Sequence, residues 1–300
     1  MSPNPTPPEA PSSTGDSTEG PLAIICGGGA FPLAVAEGAR RAGRQVVLFP
    51  VRGFADASFE AWPHAWISLG RFGFLKSELR RRGCRDVVFI GNVLRPRIRD
   101  LRLDWATLRL LPRAVALLRG GDDYLLTGLG RLMEESGFRL VGAHEAAPEI
   151  LMPAGQLGTV APDAAAREDI ARGRAALAVM GPLDIGQGLV VMNRHVVAVE
   201  AAEGTDLMLA RVAELRGNGR IKMPARCGVL VKRPKEGQDL RIDLPSFGVR
   251  TVEGAARAGL AGIALEAGGV IVADSAALIR LADREGLFIL GVEREGTQGA

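Results

Sequence analysis

LAIICGGGAFPLAVAEGARRAGRQVVLFP, Leu22 to Pro50, decides the fold. Leu22–Cys26 is a short apolar run that ends in three glycines. Phe31–Gly43 follows with helical spacing of apolar residues and a basic end before Gly43. Gln45–Val51 is a second apolar run of strand length. Strand, helix and strand at this pace predict a parallel α/β sheet. Further along, Phe74–Gly83 reads as a polar-faced helix, Arg85–Val93 as a third strand and Phe138–Glu145 as a fourth. Between them, Thr107–Gly137 reads as two helices around Gly120–Asp123.

From Pro148 to Pro162, prolines and glycines interrupt any periodicity, so this stretch is expected to be a linker. It divides a domain over 21–147 from a second over 163–300. The second half continues with a helix over 163–181 and a hairpin turning at Asn193–Arg194. A helix over 204–219 follows, then strands at 227–234 and 239–245. The Ala/Gly-rich stretch 251–268 is expected to be one helix. A strand at 270–274, a helix over 275–286 and a last strand at 287–292 complete it. This predicts a second α/β unit with some antiparallel pairing.

The first twenty residues differ from the rest. They hold five prolines, little apolar bulk, three acids (Glu9, Asp16, Glu19) and no Lys or Arg, as expected of a disordered tail. They lack the basic and apolar regions of a signal peptide. No apolar run is long enough to span a bilayer, so the chain reads as cytoplasmic. The net charge is +3, and leaving out the three tail acids raises it to +6. That mild excess suits an anionic small molecule or an anionic membrane surface. It is not the dense basic footprint of a nucleic-acid binder, and aromatic residues are only 5%. Cys26, Cys84 and Cys227 are isolated and make no zinc spacing with the three histidines, so they read as reduced thiols.

Several positions invite a functional reading. Gly28 and Gly29 sit where a strand hands over to a helix, where backbone N–H groups can approach a phosphate. The spacing departs from the dinucleotide fingerprint, and a tight turn is the preferred reading of this stretch taken alone. Asn92 and Arg95 follow a strand whose carboxyl end is a customary ligand position. Asp122 is placed to cap a helix, leaving Asp123 for other work. His144 lies beside Glu145 near the domain junction. Asp184, Gln187, Glu200, Glu203, Thr205 and Asp206 bring acids together in a basic chain. They are either oxygen ligands for Mg²⁺ or, for Thr205 and Asp206, a helix cap. From Arg220 to Arg250 eight Lys/Arg, Lys232 among them, face three acids. One of the three is Asp243, at what reads as a strand end before Pro245. It is either a surface ion-pair partner of Arg241 or Lys235, or a group that holds a metal or orients water.

The ordered series ICGGGAFP, GNVLRP, GDDYLL, GAHEAAPEILMPAGQLG, LDIGQGLVV, AVEAAEGTDLML, GVLVKRPKEGQDLRIDLPSFGVRT and AGLAGIALEAG, from 25 to 269, resembles the LpxI-type UDP-2,3-diacylglucosamine pyrophosphatases of lipid A synthesis. The resemblance implies a Rossmann-like N-terminal domain and a distinct C-terminal α/β domain with a mixed sheet, with a lipid-linked nucleotide sugar bound between them. It implies Mg²⁺-dependent hydrolysis to UMP and 2,3-diacylglucosamine 1-phosphate (lipid X). Its critical aspartate falls on Asp243. Gly28, Gly29, Asn92, Arg95, Asp123, His144, Gln187, Thr205 and Lys232 become candidate substrate contacts. Asp243, Asp206, Glu203 and Asp184 become candidate metal ligands. Contact with the inner membrane surface is expected to be peripheral and transient. A homodimer is compatible with the sequence. The competing class is a non-catalytic protein that binds a nucleotide sugar or acidic lipid. A nucleotide-sugar oxidoreductase is disfavoured by the missing fingerprint. The Pro-rich tail departs from the family pattern, and Phe31 and Phe247 stand where the family has smaller aliphatics, changes of packing that put no catalytic group in doubt.

Overall fold

The computed structural model describes residues 20–93, 103–109 and 122–294. The expected tail over 1–20 falls almost wholly outside the described residues. The first sheet holds β1 (Leu22–Cys26), β2 (Val46–Pro50), β3 (Asp86–Ile90) and β4 (Arg139–Leu140). All pair in parallel, in the order β2-β1-β3-β4. Alternate β1 residues feed two cores: Leu22 and Ile24 pack on one face, Ala23 and Ile25 on the other. A strand buried on both faces reads as a continuous apolar run, which is why β1 and β2 carry no polar alternation. The helix Phe31–Arg41 starts with proline in its first turn and ends with Arg40 and Arg41, suiting its dipole. The chain leaves β1 for β2 on one side and returns to β3 on the other. The carboxyl ends of β1 and β3 therefore flank the crevice where such sheets bind ligands.

The second sheet uses β5 (Gly155–Leu157), β6 (Gly188–Met192), β7 (His195–Val199), β8 (Val229–Lys232), β10 (Gly262–Glu266) and β12 (Phe288–Val292), in the order β5-β12-β10-β8-β6-β7. The central strands β8, β10 and β12 are parallel. The edge pairs β5–β12 and β6–β7, and the pair β6–β8, are antiparallel. Two short strands, β9 (Ser246–Phe247) and β11 (Ile271–Val272), form a separate parallel pair. The β6–β7 hairpin turns at Asn193–Arg194 as expected. Both residues have positive φ, and the buried Asp169 carboxylate accepts from both their N–H groups, at 3.1 and 2.5 Å. The mixed α/β class in two units is as the sequence suggests.

Three local expectations are corrected. Residues 251–268 are not one helix. The helix Val249–Arg257 stops near Gly259 (φ +65°), and Gly262–Glu266 is the fully buried strand β10 at the middle of the sheet. Arg241–Asp243 is not a strand. Asp239 turns the chain, its carbonyl accepting from the N–H of Ile242 and of Asp243 and its carboxylate from the N–H of Arg241. The fourth strand covers only Arg139–Leu140, and His144 lies in the one-turn helix Ala143–Ala146 that follows. Within 148–162, Ile150 joins the first domain's core and Met152 the second's, and Gly155–Leu157 is the edge strand β5.

The two domains share packed side chains. Leu244 and Ile271, from the second, join the core of Leu22, Ile24 and Val35 in the first. Ile242 lies over Gly130, where even a Cβ would come within 2.7 Å of it. Arg241 donates to Glu134 of the helix Asp122–Glu135 at 3.0 Å. The loop Asp239–Pro245 is thereby held against the first domain.

Candidate active site

Asp243 sits half-buried in that interdomain loop. Its Oδ2 accepts from the Gln187 amide at 3.1 Å and from the Gln238 amide. Two neutral amide donors from separate segments help fix the carboxylate's direction. Gln187 is itself set by the sheet, since its carbonyl accepts from the N–H of Arg233 just past β8. Asp243 lines a pocket of about 240 Å³ with Thr127 of the first domain and Asp184, Lys235, Gln238 and Asp239 of the second. Clefts between domains are frequent small-molecule sites.

Next to Gln187 is Gly188, where a Cβ would come within 2.5 Å of the Glu200 carboxylate and 3.2 Å of the Lys232 side chain. Lys232 is 5% exposed. Its Nζ donates to Thr205 Oγ1 at 2.6 Å and to the Ser246 carbonyl at 3.5 Å, and lies 3.6 Å from Glu200. Thr205 in turn donates to Glu200 at 2.8 Å. Thr205 therefore bonds inward from within the helix Gly204–Gly217 and does not cap it. A second buried pair, Arg233 with Glu266, lies at the ends of β8 and β10.

In the first domain, Gly28 and Asn92 meet at the crevice. Each donates its backbone N–H to the other's carbonyl at 2.9 Å, tying the β1 and β3 loops together. Gly29 has φ +95°, which favours glycine, and its position lies beside the Asn92 amide. Phe31, at the start of the following helix, reaches Gly248 just past β9. His144 comes near the loop of Asp243. The Arg241 guanidinium holds the Asp239 carboxyl below the usual range, and His144 acts in the same direction. The His144 Nδ1 is buried with no hydrogen-bond partner among the described residues.

Gln187 thus reaches Asp243, Lys232 reaches Thr205 and the Ser246 carbonyl, and His144 lies near the Asp243 loop, while Gly28, Gly29 and Asn92 make a separate pair of tied loops in the first domain. Arg95 lies outside the described residues, as does the side chain of Asp123. The four acids expected as metal ligands do not gather. Asp184 pairs with Lys235, Glu203 with Arg211 at 2.8 Å and Asp206 with Arg250 at 2.5 Å. Among the described residues no three His, Cys, Asp or Glu side chains cluster as a metal site. A dedicated four-acid cage is not the arrangement here. Mg²⁺, however, is commonly held by one or two carboxylates plus substrate phosphates. Asp243 and Asp184, lining one pocket, fit that smaller donor set.

Sequence reasoning missed Gln238, which holds Asp243, and Thr127, which closes the pocket from the other domain. Gln238 lies five residues before Asp243 in the same basic stretch. A neutral amide there carries no chemical signal of its own. Cys26 reads correctly as a buried thiol, and burial pushes it up to about 12.

The comparisons agree with this two-domain arrangement. The LpxI N-terminal domain family matches residues 21–150 and the LpxI C-terminal domain family residues 153–290. A curated relative from Caulobacter vibrioides, named UDP-2,3-diacylglucosamine pyrophosphatase LpxI, is 45% identical over 272 residues, covering 91% of this chain and 97% of its own length. The chain belongs to the LpxI family.

Proposed function

We propose that this chain hydrolyses the diphosphate of UDP-2,3-diacylglucosamine, releasing UMP and 2,3-diacylglucosamine 1-phosphate. The reading is carried by one observation. Asp243, where the resemblance places the family's critical aspartate, is held by two side-chain amides in a pocket lined by both domains. Water adds to one phosphorus, the bond from that phosphorus to the bridging oxygen breaks, and the two monophosphates part. The uncatalysed step is slow because anionic oxygens repel the nucleophile and charge builds on the leaving phosphate.

Each group has a role in this reading. Asp243, fixed in direction by Gln187 and Gln238, orients the attacking water. Lys235 supplies positive charge at the rim. The tied loops at Gly28 and Asn92 present backbone at the crevice, where the uridine half of the substrate would lie. Mg²⁺, held by Asp243 and Asp184 together with the substrate phosphates, would offset the charge of the diphosphate.

The binding-only reading loses ground on the name of the 45% identical relative. Turnover separates the two. Purified protein with UDP-2,3-diacylglucosamine and Mg²⁺ should release UMP, and EDTA should stop the release. Tight binding without UMP would favour the carrier. Release undiminished by EDTA would remove the metal.

A further inference from the structure

The three tryptophans are treated differently by the fold. Trp62 lies under the Arg40 guanidinium, and Trp66 lies under Arg52 and donates to Glu60. Trp105 is 80% exposed. Leu103, Leu108 and Val93 are also exposed, at 40–44%.

This apolar group is not on a loose loop. Asp104 accepts from the N–H of Phe74 at 3.0 Å and from the N–H and hydroxyl of Thr107, at 2.8 and 2.7 Å. Thr107 accepts from the N–H of Phe72 at 2.9 Å, and the N–H of Asp104 donates to the Gly70 carbonyl at 3.2 Å. These bonds keep the Asp104 carboxyl below its usual range. They fasten the turn bearing Trp105 to the first turn of the helix Phe72–Arg81. That helix runs back toward the start of β3, so its first turn lies at the carboxyl end of the sheet. Val93 immediately follows Asn92, at the same end. The exposed apolar side chains therefore border the candidate crevice.

We infer that Val93, Leu103, Trp105 and Leu108 form the surface through which this protein docks on an anionic bilayer, bringing the crevice to a lipid-borne substrate. Charge complementarity favours a bilayer as the occupant. Arg71 and Arg109 are exposed beside the group, and the nearby Asp104 carboxylate is turned to the N–H groups of Phe74 and Thr107. An amphipathic tryptophan with leucines and arginines suits the headgroup boundary. The inference rests on the proposed substrate, since a water-soluble one would give no reason to dock.

The test is co-sedimentation of the full chain, without substrate, on phosphatidylcholine vesicles with and without phosphatidylglycerol. The wild type should bind the anionic vesicles. Trp105→Ser with Leu108→Ser should weaken binding about tenfold or more. The same variant should keep its melting temperature and its hydrolysis of detergent-dispersed substrate. It should lose rate on substrate embedded in vesicles. Wild-type binding that the variant retains, or absence of wild-type binding, overturns the docking surface and leaves the hydrolysis reading intact. Vesicle binding without hydrolysis in any dispersion overturns that reading and leaves the surface. A concentration-dependent dimer abolished by the variant would make the face a self-contact and also overturn the proposal.

Discussion

Asp86 and Asp243 are two carboxylate sites set apart by their partners. Asp86 is 4% exposed at the start of β3 and is gripped by two guanidiniums. Arg139 donates to it at 2.7 and 2.6 Å, and Arg44 at 2.7 Å. Asp243 is half-buried at the domain seam and accepts from two amides. The first arrangement fastens β3, β4 and the loop before β2 together. The second orients a charge toward a pocket. In the proposed reading the clamped carboxylate serves folding and the aimed one serves chemistry. That contrast predicts opposite responses to mutation, and variants can break or sharpen it.

The largest loss of stability should come from the buried cluster beside the site. Lys232→Met leaves the Glu200 carboxylate in the interior without its cation, and one Glu200 oxygen already lacks a hydrogen-bond partner. Removing one partner of a buried pair costs about 3–5 kcal/mol. Chemical denaturation should show it as a lower midpoint. A midpoint within experimental scatter of wild type would mean that Lys232 reaches solvent or ligand instead.

Asp86→Ala should cost less, about 1.5–3 kcal/mol, because Arg139 and Arg44 retain access to water. The wild-type advantage should also depend on pH. The two arginines hold the folded-state pKa of Asp86 below its unfolded value. The contribution is then complete above about pH 4 and fades as pH falls through the folded value. A stability gap between wild type and variant that grew on acidification would contradict this. UMP release per folded molecule should be unchanged, since Asp86 is at the opposite end of its strand from the crevice.

A smaller effect is expected at Arg241, which joins Asp239 to Glu134 across the domains but is 39% exposed. Arg241→Ala should shift stability by under about 1 kcal/mol. A loss of several kcal/mol would show that the seam depends on this bridge rather than on Ile242, Leu244 and Ile271.

The sequence made much of this legible, for a physical reason. β1, β2, β3, β8 and β12 are apolar runs bounded by glycine, proline or charge, and local pattern identifies such runs. β10 was hidden because Gly-Ile-Ala-Leu-Glu follows an Ala-rich helix and is itself made largely of good helix formers. Its burial between β8 and β12 overrides that preference. Asp239–Asp243 alternates like a strand, but the turn is made by Asp239, whose side chain accepts from the N–H of Arg241 and whose carbonyl accepts from the N–H of Ile242 and of Asp243, which hydrophobic pattern cannot report. At the site, the glycines, Asn92, Gln187, Lys232 and Asp243 could be named in advance. The seating of Asp243 at the domain seam could not, because it depends on Ile242 over Gly130 and on Leu244 in the other domain's core. Acids close together in sequence looked like one metal site, yet each found its own cation in three dimensions.

The most direct test of the central claim is one variant read three ways. Asp243→Asn keeps the shape and removes the charge. Its melting temperature should match wild type within error and its substrate Kd should hardly change, because the lost interaction is made mainly in the transition state. Its kcat should fall roughly 10²–10³-fold, the scale of losing one aimed electrostatic contact. A near-normal kcat, or a fall in kcat matched by a fall in stability, would contradict the assignment of Asp243 to chemistry rather than to folding.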